Sequence, residues 1–167
     1  MKKIFIVNGK PGAGKDTFAS ILNKLHCDRV YKYSSVTKVK EIATLCGWDG
    51  KKEEKDRKFL SDLKILTSKY NDMSFRDIEE EIEFFKNHER YEIMLIDIRE
   101  PEEIERAVKE FGAESIFIDS NRVPHITSNP ADANVENYIY DYVIYNNGTL
   151  LEFTRNIKEF LDGFRLI

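Results

Sequence analysis

Short, continuous apolar runs alternate along the chain with longer segments in which apolar residues recur at helical spacing. A short apolar run bounded by turn residues is typical of a strand that is buried on both faces. The predicted strands are Ile4–Val7, Arg29–Tyr33, Tyr91–Ile98, Ser115–Asp119 and Tyr142–Tyr145. The alternation predicts a three-layer α/β/α fold, with a parallel sheet of about five strands covered by helices.

Helices in the middle of the chain are predicted from apolar spacing and from capping residues. Ser34 or Ser35 is expected to cap the first of them. After a turn-rich and then charged break at residues 47–55, a helix follows with one apolar face. Its predicted face consists of Phe59, Leu63, Leu66 and Tyr70. The next helix is expected to begin at Ser74, with Asp77 completing a variant of the capping box.

The two helices nearest the C-terminus have stronger signals at their ends. Pro101 is suited to the first turn of a helix, and Gly112 is suited to its C-terminal end. Thr149 and Glu152 have the spacing of a capping box at the start of the last helix. The predicted buried side of that helix consists of Phe153, Ile157, Phe160 and Phe164.

Composition limits the classes of protein to which the chain can belong. Its 167 residues, 41% hydrophobic and 34% charged, are typical of one folded globular domain. A net charge of −4 argues against a nucleic-acid polymer as partner, and no apolar run reaches the ~18–20 residues that span a bilayer. We therefore expect one domain over residues 1–167, with a helical insertion at about 41–90. We expect it to be a cytoplasmic monomer or homodimer whose partners are small molecules.

The segment with the most specific chemistry is residues 9–17, which read GKPGAGKDT and fit the pattern G-x-x-x-x-G-K. Glycines let the backbone N–H groups turn toward phosphate oxygens, and the N-terminus of the following helix attracts the same anions. A buried strand precedes the segment and an amphipathic helix follows it, so we predict a P-loop within a P-loop NTPase fold. The predicted phosphate-binding residues are Gly9, Lys10, Pro11, Gly12, Ala13, Gly14, Lys15, Asp16 and Thr17.

One position of this loop departs from the usual pattern, because Asp16 stands where Ser or Thr normally binds Mg²⁺. A carboxylate can hold Mg²⁺ directly or through water. Alternatively, Asp16 is an acid of the first helical turn, where the helix dipole favours it. If Asp16 holds the ion, Thr17 is the hydroxyl expected to face the phosphates, and Thr17 is itself a predicted Mg²⁺ ligand together with Asp16 and Asp97.

The string GKPGAGKDT resembles the deoxynucleoside monophosphate kinases of bacteriophages and their bacterial relatives, although Gly-Lys-Asp also occurs in animal-type phosphomevalonate kinases. The likeness continues in residues 31–40, 57–60, 97–103, 111–114, 125–128 and 141–151. It implies ATP- and Mg²⁺-dependent transfer of a phosphoryl group to a (deoxy)nucleoside monophosphate. The chain is shorter than the phage enzymes in the acceptor-binding insertion, so the identity of the acceptor stays open.

The resemblance also implies roles for residues outside the loop. Lys15 stabilises the transferring phosphate. Asp97 ends the central strand, where it anchors Mg²⁺ through water or orients the acceptor phosphate; the alternative is a cap for the next helix. Arg99 is expected either to clamp a phosphate or to form a surface pair with Glu102 or Glu103.

Further roles concern the loop Ser120–Val135 and the acceptor. Arg122 is expected to cover the transferred phosphate as part of a lid, or else to lie on a plain surface loop, and His125 is expected to be structural. The predicted acceptor-binding residues are Tyr33, Lys38 and Arg57. Tyr33 is alternatively a core residue, and Arg57 alternatively belongs to the solvated charged run 51–58. The residues expected near adenine are Asn146 and Gly148.

Two other functions fit the same motif. One is a kinase of another small phosphorylated or hydroxylated metabolite, such as dephospho-coenzyme A or phosphomevalonate. A hydroxyl acceptor would require a base, and Asp97 is the candidate. The other is a nucleotide-binding module without catalysis. A GTPase is disfavoured because the sequence has no Asn-Lys-x-Asp-like segment to read the base.

Overall fold

Five strands and six helices lie within residues 2–123 and 135–164, which are the residues that the computed structural model describes. The strands are β1 (Lys3–Asn8), β2 (Val30–Ser34), β3 (Ile93–Asp97), β4 (Glu114–Asp119) and β5 (Tyr142–Tyr145). The helices are α1 (Lys15–Leu25), α2 (Thr37–Leu45), α3 (Glu54–Asn71), α4 (Met73–Asn87), α5 (Pro101–Phe111) and α6 (Leu150–Gly163). Within the described part of the chain, no helix combines the length and the apolar composition needed to cross a membrane.

The five strands form one parallel sheet in the order β2-β3-β1-β4-β5, with flanking helices. β1 lies at the centre because it pairs with β3 on one side and β4 on the other. Its residue Val7 is opposite Asp97 of β3 and Ile116 of β4. The predicted α/β fold is confirmed, and the carboxyl ends of all strands meet at one edge of the sheet.

The chain divides into two compact units, and the first comprises residues 1–32 and 89–167. Its core contains the fully buried Phe5 of β1, Phe18 of α1 and Phe153 of α6. The Phe160 ring makes edge-to-face contacts with Phe5, at 5.3 Å between ring centroids, and with Phe18, at 6.4 Å. These aromatic contacts join α1 and α6 to the central strand, and thereby fix the start of α1 relative to the end of β1.

The second unit comprises residues 33–88 and contains α2, α3 and α4, which pack on one another. The buried side chains of its helices are Val39, Ala43, Ser74, Phe75, Ile78, Ile82 and Phe85. The Tyr33 hydroxyl donates a hydrogen bond to Asp77 at 2.5 Å. The unit begins before the insertion predicted at about 41–90, and the domain organisation itself stays a prediction.

Two predicted helix starts are wrong. α2 begins at Thr37, and Val36, rather than Ser34 or Ser35, occupies the N-cap position without a side-chain cap. Ser34 is the last residue of β2, so the chain has not yet turned toward the helix at that point. α4 begins at Met73, one residue earlier than predicted, after Asp72 in the left-handed conformation.

Two predictions about side chains in the second unit are also corrected. Asp77 is not part of a cap at the start of α4, because no side-chain cap is present there and its carboxylate accepts the Tyr33 hydrogen bond. The predicted apolar face of α3 is not buried, since Leu66 is 66% exposed and Tyr70 is 86% exposed. The spacing of apolar residues thus predicted the helix correctly, but it did not predict that this face of the helix is exposed.

The end signals of α5 and α6 are confirmed. Pro101 is the first residue of α5, and Gly112 ends it in the left-handed conformation at φ 64°. At the start of α6, Thr149 Oγ1 accepts a hydrogen bond from Glu152 N at 3.2 Å. The Glu152 carboxylate in turn accepts one from Thr149 N at 2.7 Å, which completes the capping box.

We predict that Thr149→Ala lowers the free energy of unfolding by about 1 kcal/mol, because the Glu152 N–H loses its acceptor and the Glu152 carboxylate loses the Thr149 hydroxyl. Chemical denaturation measures the change. The control is Thr154→Ala in the same helix, where the hydroxyl donates to Leu150 O within the helix and Ala is favourable. Equal losses from both substitutions would contradict a role for the cap.

Candidate phosphate-binding site

The site begins where β1 leaves the sheet, at the fully buried Asn8. Its Oδ1 accepts a hydrogen bond from Gly9 N at 2.8 Å. Its Nδ2 donates to Arg99 O at 3.1 Å and to the Tyr140 hydroxyl at 2.8 Å. Asn8 therefore connects the start of the loop to the chain just after β3. Asn8 is not among the residues predicted from the sequence, although a polar residue that ends an apolar strand before a glycine was a usable signal.

Two glycines of the motif have backbone positions that a side chain would block. A Cβ on Gly9 would lie 2.6 Å from the backbone oxygen of Ile118 in β4. Gly14 has φ 102°, and a Cβ there would lie 2.5 Å from Asn146 Nδ2. Glycine is needed at position 9 because the loop passes directly against the backbone of β4, and at position 14 because of the left-handed backbone conformation.

The Lys15 side chain folds back over the loop from the first residue of α1. Its Nζ donates hydrogen bonds to Gly9 O at 2.5 Å and to Lys10 O at 3.1 Å. Ala13 N closes the turn by donating to Lys10 O at 3.0 Å. An ammonium group, a compact glycine-rich loop and a helix N-terminus therefore coincide, which is an arrangement that attracts phosphate groups.

The other loop residues differ in their surroundings. Lys10 forms an ion pair with Glu136 at 2.8 Å. Pro11 and Gly12 form the turn, and Gly12 has φ 83°. Thr17 is exposed in the first turn of α1. Phosphate contacts of these residues stay predictions.

A cluster of three charges lies beside the loop and comprises Asp16, Lys32 and Asp97. Lys32 Nζ bonds to the Asp16 carboxylate and lies 3.4 Å from Asp97 Oδ2. Asp97 is the last residue of β3, where burial raises the pKa of its carboxyl and the Lys32 ammonium opposes that rise. Both carboxylates contact the position of the Lys32 ammonium. Mg²⁺ prefers carboxylate oxygens as ligands, so Asp16 and Asp97 fit a magnesium ion at that position. Among the described residues, no larger group of His, Cys, Asp and Glu converges on a metal position.

On the opposite side of the loop, residues after β4 and β5 form a hydrogen-bonded cluster. The Arg122 guanidinium donates to Asn146 O at 2.8 Å and to Asn146 Oδ1 at 2.7 Å. Asn146 Nδ2 donates to Ala13 O at 2.9 Å. Ser120 Oγ also donates to Asn146 O, at 3.0 Å. Arg122 and Asn146 thus hold the loop, a role that the sequence did not predict for either.

The predicted acceptor residues all lie in the second unit. Tyr33 bonds to Asp77, and Lys38 pairs with Glu41 at 3.1 Å on α2. The Arg57 side chain is exposed on α3 and donates to Lys52 O at 3.1 Å. Each contact is local to the unit, and the acceptor-binding roles of the three residues stay predictions.

The remaining predicted residues lie at the ends of strands and in loops. Arg99 is exposed just after β3, and its backbone oxygen accepts the hydrogen bond from Asn8. Gly148 lies against the Glu152 carboxylate, 2.2 Å from where a Cβ would be, so it leaves room for the capping box of α6. Residues 124–134, which include His125 and most of the predicted lid, lie outside the described residues. The phosphate, adenine and lid roles stay predictions.

Comparison with known sequences gives one short match. No protein-family model matches the chain. An adenylate kinase from Sulfurovum sp. (strain NBC37-1) is 46% identical over 41 residues. The match covers 25% of this chain and 21% of the adenylate kinase, about a fifth of the relative's length.

Solved structures match over nearly the whole chain. A dephospho-CoA kinase from Campylobacter jejuni has a TM-score of 0.55 and 17% identity, with 97% of both chains covered. A shikimate kinase from Aquifex aeolicus has a TM-score of 0.53 and 16% identity, with 98% of both chains covered. At these identities the likeness concerns the fold. The predicted P-loop NTPase fold is therefore confirmed.

We predict that Asn146→Ala weakens ATP binding by roughly 2–10-fold, the equivalent of one hydrogen bond, because the loop loses its bond at Ala13 O. Isothermal titration calorimetry measures the dissociation constant. The control is Asn147→Ala, since the Asn147 side chain accepts a hydrogen bond from Asn121 N, whereas it is Asn146 that donates to Ala13 O. Unchanged ATP affinity in Asn146→Ala, or an equal loss in the control, would contradict the role of Asn146.

Proposed function

We propose that this protein transfers the γ-phosphoryl group of ATP, with Mg²⁺, to a (deoxy)nucleoside monophosphate, giving ADP and the nucleoside diphosphate. The observation that carries the proposal is the position of Lys15 Nζ, held over the loop by Gly9 O and Lys10 O. A phosphate entering the loop takes the place of these carbonyl oxygens as the partner of the ammonium. Lys15 is then in position to stabilise the transferring group.

The chemistry of such a transfer depends on position and charge, because the acceptor phosphate is already an anion and needs no base. The loop and the N-terminus of α1 bind the donor phosphates, and Lys15 neutralises charge that develops on the transferred group. Asp16 and Asp97 would hold Mg²⁺, which supplies further charge neutralisation when bound. Arg122 and Asn146 keep the loop in place from the other side.

Two findings support a nucleotide as acceptor. The first is the 41-residue match to an adenylate kinase, at 46% identity. The second is the resemblance of the loop and of later segments to deoxynucleoside monophosphate kinases.

A second candidate function is phosphorylation of a hydroxyl group on another small metabolite. The observation that favours it is the burial of Asp97 at the end of β3, which raises the pKa of its carboxyl. A carboxylate with a raised pKa is a better base for a hydroxyl proton. The ion pair with Lys32 works against this role, because it stabilises the carboxylate form.

One experiment separates these candidates. ADP release with Mg-ATP is measured by a coupled assay against ribo- and deoxynucleoside monophosphates, dephospho-coenzyme A and phosphomevalonate. We expect one or a few nucleoside monophosphates to raise the rate. Stimulation by dephospho-coenzyme A alone would favour the hydroxyl acceptor, and ATP binding without any stimulation would favour a nucleotide-binding module.

We predict that Lys15→Ala lowers turnover by about 10³-fold, because the main cation at the transferred phosphate is removed. Thermal unfolding verifies that the variant is folded. The control is Lys24→Ala, which removes the same charge from the exposed opposite end of α1 and should retain the wild-type rate. A folded Lys15→Ala protein with wild-type turnover would contradict the mechanism.

A further inference from the structure

Lys32 belongs to the ion cluster beside the loop but has no role in the phosphoryl transfer proposed for this site. Lys32 lies in β2, next to β3 in the sheet, and its ammonium contacts both Asp16 and Asp97. Asp16 is 93% exposed, whereas Asp97 is only 24% exposed. Lys32 therefore connects a solvent-facing acid of the P-loop with a largely buried acid at the end of the neighbouring strand.

The charges of this cluster explain why a lysine is needed there. Two carboxylates near one another repel, and Asp97 is also desolvated. The Lys32 ammonium contacts both carboxylates and compensates one of their two negative charges.

We propose that Lys32 occupies the cation position between Asp16 and Asp97 in the nucleotide-free protein and leaves it when Mg-ATP binds, so that this lysine weakens the binding of free metal ions. The inference rests on the proposed Mg-ATP-dependent function. It also accounts for the unusual acid at position 16, since the Ser or Thr that normally stands there would offer Lys32 no charged partner.

Competition between Lys32 and a metal ion follows from their shared ligands. An ammonium and a divalent cation both bind carboxylate oxygens, and their like charges repel at short distance. Free Mg²⁺ must therefore displace the Lys32 ammonium from both carboxylates and offers it no new anionic partner. Mg-ATP brings phosphate oxygens that complete the metal's ligands and attract the displaced ammonium.

The test is binding of Mn²⁺, as a probe for Mg²⁺, to the nucleotide-free protein, measured by electron paramagnetic resonance. We expect Lys32→Gln to bind Mn²⁺ at least about tenfold more tightly than the wild type, because a competing and repelling charge is removed. Lys32→Arg, which keeps the charge, should bind like the wild type. Lys24→Gln should also bind like the wild type. Lys24 lies ~12 Å along α1 from Asp16, and this distance exceeds the electrostatic screening length at physiological salt.

A second variant tests Asp97 as a ligand of the metal ion. Adding Asp97→Asn to Lys32→Gln should remove the gain in Mn²⁺ affinity. If Lys32→Gln folds poorly, the same comparison is made through the rise in melting temperature that Mn²⁺ produces, because binding to the folded state stabilises it. A larger rise than in the wild type supports the inference.

The inference is overturned if Lys32→Gln binds Mn²⁺ no more tightly than the wild type, or if Lys24→Gln shows the same gain. Wild-type turnover with Mg-ATP is measured in parallel. Turnover without any effect of Lys32→Gln on Mn²⁺ binding refutes the role of Lys32 alone. Absence of turnover with every acceptor refutes the proposed function. The Mn²⁺ comparison then still decides whether Lys32 holds the cation position.

Discussion

The contact between the Gly9 backbone and the carbonyl of Ile118 is the constraint on which the site depends. β1 is the central strand, so the chain leaves the sheet with neighbours on both sides. Only a residue without a side chain can pass so close to β4, and the glycine that satisfies this requirement also starts the loop. Asn8 completes the exit, because its buried side chain bonds to Gly9 and to the backbone after β3.

The parallel sheet concentrates charges from distant parts of the sequence at the same edge. Asp97 ends the strand on one side of β1, and Lys32 belongs to the strand beyond it. Hydrogen bonds from Arg122 and Asn146 hold the loop on the other side. Binding of phosphate groups requires such a preorganised, charged environment. The order of the strands provides it by bringing these residues to one edge of the sheet.

Local signals in the sequence were sufficient for most secondary-structure elements. The Thr149 capping box and the Pro101 and Gly112 ends were predictable because the interacting groups lie within a few residues of each other. The start of α2 and the environment of α3 were not predictable in this way. Ser34 remained in its strand, and Leu66 is exposed although its spacing suits a buried face.

The sequence by itself determined the P-loop, its place between a buried strand and a helix, and the parallel α/β fold. These properties depend on residue types at fixed short spacings, which the chain displays directly. Only the tertiary structure decided that Lys32 pairs with Asp16 and Asp97, that Asn8 bonds to the Arg99 backbone, and that Asn146 holds the loop. These contacts join residues far apart in the chain, and the order of the strands determines which of them meet.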